Sequence, residues 1–137
     1  MRNTKGCGRT RNFATVVYPE SAPENWIDII RESHINVIIS PLHENDVNPD
    51  EEVKKAHYHV LVMYETVKTL EQFEEFRTSF GGVGQEKVNS IRGYARYLCH
   101  LDNPEKAQYS PNDVLVIGCE DYFNLIALPT DKYGSIQ

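Results

Sequence analysis

Apolar residues in this chain fall into short runs of two kinds. Phe13 to Tyr18 is a β-branched run ended by Pro19, and Asn36 to Ser40 is a second, closed by Pro41. Both predict strands. His57 to Tyr64 reads His-Tyr-His-Val-Leu-Val-Met-Tyr, a longer β-prone run and the candidate central strand. Other segments follow helical spacing. After a start at Ser21 to Pro23, Glu24 to Ser33 sets Trp26 and Ile30 on one side of a helix. Thr69 to Phe80 carries Leu70, Phe73, Phe76, Arg77 and Phe80 near helical spacing, and Gly81-Gly82 ends it. Ile91 to Leu101 predicts a further helix, broken by Asn103-Pro104. Lys87 to Ser90 and Val114 to Ile117 are shorter strand candidates. Tyr122 to Leu128 fits either a helix or a loop. The polar stretch from Pro41 to Lys55, which holds Pro49, reads as an irregular excursion. This order predicts an α+β domain whose sheet carries helices on one face.

Length changes little: 137 residues suit one domain with a real core. Residues 1–11 read as a basic N-terminal arm and 12–137 as the domain. No apolar run is long enough to span a membrane, and no signal-peptide core follows the basic start. Three widely spaced cysteines, Cys7, Cys99 and Cys119, point away from a disulfide framework and toward a reducing cytoplasm.

Charge sharpens the reading. The formal net charge of −6 argues against a polyanion-binding surface over the whole chain but leaves room for a local one. Arg2, Lys5, Arg9 and Arg11 lie in a leader without acids, Lys54-Lys55 precedes the central strand, and Arg92 and Arg96 flank a tyrosine-rich helix. The acids gather at Asp50-Glu51-Glu52, Glu71, Glu74 and Glu75. A basic tail plus solvated helix faces accounts for any one of these clusters. A bipolar surface with a phosphate-facing side accounts for them together.

The candidate chemistry lies at the head of the central strand. Residues two apart on a strand share a face, so His57 and His59 project together. His43 and Asp46 come just after the preceding strand. If those strands are neighbours, three imidazoles and a carboxylate converge, a donor set for zinc, manganese or another transition metal. A lone His-x-His is more often two ordinary side chains; His43 and Asp46 add specificity. On the helix Arg92-Gly93-Tyr94-Ala95-Arg96-Tyr97-Leu98-Cys99-His100, Tyr94 and Tyr97 are one turn apart, as are Tyr97 and His100. Packing is the commoner fate of a helical tyrosine. The functional alternative makes one hydroxyl a nucleophile, activated by a metal or by arginines around a phosphate.

These pieces resemble, in order and spacing, the motifs of the rolling-circle plasmid replication initiators of the HUH endonuclease superfamily, in the type with a single catalytic tyrosine. Phe13 to Ser21 resembles the first motif. Ile39-Ser40-Pro41-Leu42-His43-Glu44-Asn45-Asp46 resembles the segment with extra His and Asp ligands. Lys54 to Leu61 is similar to the HUH motif, and Tyr94 to Leu101 to the tyrosine motif. The resemblance covers most of residues 12–109. It implies a central antiparallel β-sheet with flanking helices, related to RNA-recognition and ferredoxin-like folds. It implies that His43, Asp46, His57 and His59 hold manganese or magnesium, with manganese the better match to so much imidazole. It also makes Tyr97 the nucleophile, with Tyr94 the runner-up. The implied activity is metal-dependent nicking and rejoining of single-stranded origin DNA through a 5′-phosphotyrosine. Lys54, Lys55, Arg92, Arg96 and the arm are the expected phosphate contacts. Implied partners are plasmid origin DNA, as a double-stranded binding site and a single-stranded nick site, and the host replication machinery of a bacterial cytoplasm.

Family members usually carry a C-terminal oligomerisation domain. This chain ends soon after the catalytic region, so an isolated origin-binding and nicking domain is expected, oligomeric only with that further domain. One departure stands out. Many HUH proteins place a lysine three or four residues after the tyrosine, where this chain has His100 and Leu101, and Lys106 lies too far along to share that helix face. Two other classes fit parts of the pattern. A non-catalytic nucleic-acid-binding module would stack bases on exposed aromatics such as Tyr58 and Tyr64. A zinc hydrolase would use metal-bound water and dispense with the tyrosines.

Overall fold

A computed structural model describes residues 10–128. Arg2, Lys5, Cys7 and Arg9, and the domain's expected end beyond 128, lie outside the described residues. Five strands form one antiparallel sheet: β1 (Thr10–Val17), β2 (Asn36–Ile39), β3 (Tyr58–Lys68), β4 (Gly82–Lys87) and β5 (Leu115–Ile117), in the order β4-β1-β3-β2-β5. Four helices flank it: α1 (Trp26–Ser33), α2 (Leu70–Ser79), α3 (Ile91–Tyr97) and α4 (Tyr122–Ile126). The expected central strand is central, with β1 on one side of β3 and β2 on the other.

Helices cover both faces of the sheet, not one. Alternate residues of each strand enter different cores. Phe13, Val17, Val37, Ile39, Val60 and Val62 pack with Trp26 and Ile30 of α1 and Phe73 of α2. Ala14, Ile38, Leu61 and Met63 pack with Ala95 and Leu98 and with Tyr122 of α4. The physical reason was present in the strands themselves. Val60-Leu61-Val62-Met63 and Val37-Ile38-Ile39 are continuous apolar runs, which mark a strand buried on both sides. Phe13 stacks on Phe73 with ring centroids 4.6 Å apart, a pairing that adds about 0.5–1.5 kcal/mol beyond its buried area.

Helix ends follow local chemistry. Thr69 and Gln72 form a reciprocal capping box at the start of α2. At its far end Gly81 adopts φ 90°, where a Cβ would come within 2.9 Å of Pro23 Cδ. The Gly81-Gly82 stop proves to be a turn directly into β4, so the strand expected at Lys87 to Ser90 lies earlier, over Gly82–Lys87. Its sequence, Gly-Val-Gly-Gln-Glu-Lys, has no apolar run; backbone pairing to β1 makes it a strand. Ser90 instead caps α3, accepting from the Gly93 amide. That helix ends at Tyr97, short of the expected Leu101. His100 takes a left-handed φ of 57°, and the Leu101 amide closes back on the Arg96 carbonyl at 3.0 Å. Tyr122–Ile126 resolves as helix.

Candidate metal centre and tyrosine pocket

β2 and β3 are neighbours, and their pairing continues past the strand ends. The Ser40 amide donates to the His59 carbonyl at 2.9 Å, and the His59 amide donates to Ser40 Oγ at 2.9 Å. The excursion then returns on itself. His43 and His57 exchange both backbone hydrogen bonds, at 2.8 and 3.1 Å, as an isolated antiparallel bridge, and Val47 and Val53 form another. This hairpin brings the His43 and Asp46 side chains against the His57 and His59 pair. One ligand atom from each of the four lies within 4.8 Å of every other, and all four residues are buried.

Outer contacts set the imidazole tautomers. A carbonyl can only accept, so His57 Nδ1 donates to Lys55 O at 2.7 Å and leaves Nε2 as the free lone pair. His43 Nε2 donates to Leu98 O at 2.8 Å, which leaves Nδ1 facing Asp46 Oδ2 at 2.9 Å. At that distance a proton or a metal ion has to lie between the two atoms. Cis ligands on an ion with bonds of 2.0–2.2 Å stand about 3 Å apart. His59 Nδ1 is fully buried with no hydrogen-bond partner among the described residues.

The electrostatics point the same way. Burial drives the His59 pKa down to about 3, with His43 and His57 adding repulsion. Burial also lowers the His43 pKa, against the pull of the Leu98 carbonyl and Asp46. Burial by itself would raise the Asp46 pKa; the hydrogen bond from Tyr109 and the contact with His43 outweigh it and hold the carboxyl below its usual range. Neutral His43 and His59 beside an ionised carboxylate are the protonation states a divalent ion requires. The donor set therefore fits such an ion.

Tyr97, the last residue of α3, is half-buried with its ring centroid 5.1 Å from that of His59. It lines a pocket of about 200 Å³ together with Asp46, His57, His59, Lys54 and Lys106. Burial, reinforced by the Asp46 and Glu86 carboxylates, raises the Tyr97 pKa. The phenol therefore needs positive charge nearby to become a nucleophile. The Tyr94 ring lies 5.4 Å from that of Tyr97 but outside this pocket, and burial raises its pKa as well.

The expected phosphate contacts divide. Lys54 lines the pocket. Lys55 is exposed and paired with Glu20 at 2.8 Å. Arg92 and Arg96 do not line it. Arg92 Nε donates to Leu125 O at 3.2 Å; Arg96 pairs with Asp102 at 3.0 Å and donates to Ile126 O at 2.6 Å. Both guanidinium groups thus tie α3 to α4.

Three further neighbours surround the site: Tyr109 has no signal in the sequence, and His100 and Lys106 have no predicted role there. Tyr109 donates to Asp46 Oδ1 at 2.5 Å and stacks on the His43 ring, centroids 4.1 Å apart. The buried His100 ring packs against His43 and Tyr97, held by Nδ1 donating to Ala107 O at 2.8 Å. Lys106 is indeed off the helix, yet the turn after α3 returns its Nζ to 5.8 Å from the Tyr97 ring centroid. Tyr109 and Lys106 sit in an irregular segment where no periodicity marks an inward residue.

An antiparallel sheet flanked by helices, with paired imidazoles on its central strand and a His/Asp addition from the hairpin beside it, defines a domain of the HUH class. The sequence profile described as "Plasmid replication protein, origin binding domain" matches residues 5–123. The chain belongs to this family of plasmid replication origin-binding domains. It is 48% identical over 130 residues to the "Replication protein RepB" of Lactiplantibacillus plantarum, covering 94% of this chain and 59% of that protein. Similarity to a "Replication protein" of Staphylococcus aureus is 38% over 130 residues, covering 94% of this chain and 65% of that one. A "Replication protein RepB" of Streptococcus agalactiae is 40% identical over 55 residues, which are 39% of this chain and 26% of the relative. The chain thus spans about three-fifths of the first two relatives. Among the described residues no helix is long and apolar enough to cross a membrane.

Proposed function

We propose that this chain binds plasmid origin DNA and nicks and rejoins one strand of it, starting rolling-circle replication with Tyr97 as the nucleophile. One observation carries the reading: the Tyr97 ring lines the same small pocket as Asp46, His57 and His59. His43, Asp46, His57 and His59 would hold a divalent ion, manganese by preference for imidazole, otherwise magnesium. Such an ion supplies Lewis-acid charge to the non-bridging oxygens of a phosphodiester.

The rest falls to the chain's own groups. Tyr97 Oη attacks phosphorus and loses its proton to solvent in the pocket. The P–O3′ bond breaks, the departing 3′ oxygen takes up a proton, and the 5′ phosphate stays on the tyrosine. One phosphoester replaces another, so rejoining is the same path reversed and no nucleotide cofactor is consumed. Host polymerase would extend the free 3′ hydroxyl. Lys54 and Lys106, in the pocket with Tyr97, and Lys55, which lines a separate pocket with Lys54, His57 and His59, would offset backbone charge. Arg92 and Arg96 each commit donors to α4 or Asp102, and a phosphate would meet those that remain.

The test is incubation with end-labelled single-stranded oligonucleotides and Mn2+, read on a denaturing gel. Cleavage with a protein–DNA adduct that vanishes in Tyr97→Phe is expected. Cleavage without an adduct would move the protein to the metal-hydroxide class, and binding without cleavage to a recognition module.

A further inference from the structure

A second groove, about 600 Å³, opens on the other side of Tyr97 and shares His59 and Tyr97 with the smaller pocket. It runs between β4 and α3, with Gln85, Glu86, Asn89 and Tyr94 in its walls. Its volume lies in the range of sites for small organic ligands, the scale of one or two nucleotides. Nothing in the mechanism above uses it.

Its charged lining differs from that of the smaller pocket, which sets Lys54 and Lys106 beside Asp46 and Glu105. Successive strand residues face opposite sides of the sheet. Glu86 pairs with Ala14, whose side chain enters the α3 core, whereas Lys87 pairs with Phe13, which enters the other core. The Glu86 carboxylate therefore lies on the tyrosine side, where its field raises the pKa of both Tyr94 and Tyr97. It is exposed and makes no ion pair among the described residues. A phosphate is repelled there, while an amine donor is welcome. Gln85, next to Glu86 on the strand, faces the opposite side, where its Oε1 accepts from Arg77 Nε at 2.7 Å. The Asn89 side chain has no partner among the described residues, and Tyr94 adds an aromatic wall.

We infer that this groove is a subsite for an unstacked nucleobase next to the scissile phosphate, read by Glu86 and Asn89 and selecting bases with an exocyclic amine over thymine. The inference rests on the nicking function proposed above. With the phosphate drawn to Lys54, Lys106 and the metal centre of the smaller pocket, Tyr97 sits at the junction, and the neighbouring nucleotide enters the groove. A carboxylate there accepts from cytosine N4, adenine N6 or guanine N2. Thymine lacks an exocyclic amine, and its one donor, N3–H, sits between two carbonyl oxygens that a carboxylate repels. Reading an unstacked base by hydrogen bonds to its edge, against an aromatic side chain, is the general mode of single-strand recognition.

The experiment cleaves a randomised pool of single-stranded oligonucleotides with Mn2+ and the whole chain, then sequences the new ends. Base ranking is internal to each variant, so changes in overall rate cancel. Thymine should be disfavoured at one of the two positions flanking the nick. Glu86→Gln should relax that bias about tenfold, because an amide both donates and accepts. Asn89→Ala should weaken selection at the same position. Circular dichroism and Mn2+ titration confirm that each variant folds and retains its metal centre. The inference is overturned if the wild type shows no bias against thymine at either position, or if both folded variants keep its ranking. A wild type that cuts no member of the pool would overturn the nicking function, and this subsite with it.

Discussion

Replacing Tyr109 by phenylalanine should weaken metal binding without unfolding the domain. The ring stays, and so does its stacking on His43 at 4.1 Å. What is lost is the 2.5 Å hydrogen bond to Asp46 Oδ1, made to an ionised group with little exposure. Hydrogen bonds to charged groups contribute about 1.5–3 kcal/mol. At about 1.4 kcal/mol per decade, that is roughly ten- to a hundredfold in affinity, the range found when outer partners of metal ligands are removed. The pH dependence should change too. Tyr109 is the strongest of the contacts holding the Asp46 pKa down against burial. Without it the carboxyl protonates at higher pH, and the acid limb of metal binding moves upward. Isothermal titration with Mn2+ at several pH values measures both effects. An affinity within twofold of wild type, with the acid limb unmoved, would refute the claim that Tyr109 fixes this carboxylate as a ligand.

The His57→Ala, His59→Ala double variant should lose Mn2+ binding and DNA cleavage together, since ligands act as a unit; normal cleavage would show that the centre lies elsewhere. The metal-free protein should lose stability as pH falls. His59 keeps a pKa of about 3 when folded against 6.5 for the free side chain, so the unfolded chain binds more protons between those values. Its contribution is complete above pH 6.5 and drains at up to about 1.4 kcal/mol per pH unit below it, which thermal melts from pH 7 to pH 4.5 would register. Replacing Lys54 and Lys55 by alanine should lower DNA affinity alike for all sequences and flatten its dependence on salt by about one to two units of slope; an unchanged slope would exclude both from phosphate contact.

Much of this molecule was legible without a structure where the signal is local. Spacing marked α1 and α2, and continuous β-branched runs marked β1, β2 and β3. The His-x-His pair on one strand face follows from a period of two. The ordered motifs pointed to the family before any geometry did. Two expectations failed for separate reasons. β4 has no apolar run because it is an edge strand held by backbone pairing, and backbone pairing leaves no mark on side-chain choice. Two-sided burial of the sheet was written in the unbroken apolar runs but was outweighed by the order of elements.

The chain by itself therefore determined which chemistry was available: four ligand residues of two types, two tyrosines, and a strand to carry the imidazole pair. Tertiary structure decided which groups meet. The hairpin bridge between His43 and His57 unites ligands from two segments. The left-handed turn at His100 ends α3 and sends the chain back, so that Lys106 reaches Tyr97 and Tyr109 reaches Asp46. Tertiary packing also joins Arg92 and Arg96 to α4. Such contacts join residues far apart in the chain, and their energy depends on distances that only the closed fold establishes. A sequence shows periodicity along one dimension, and these partners are neighbours in three.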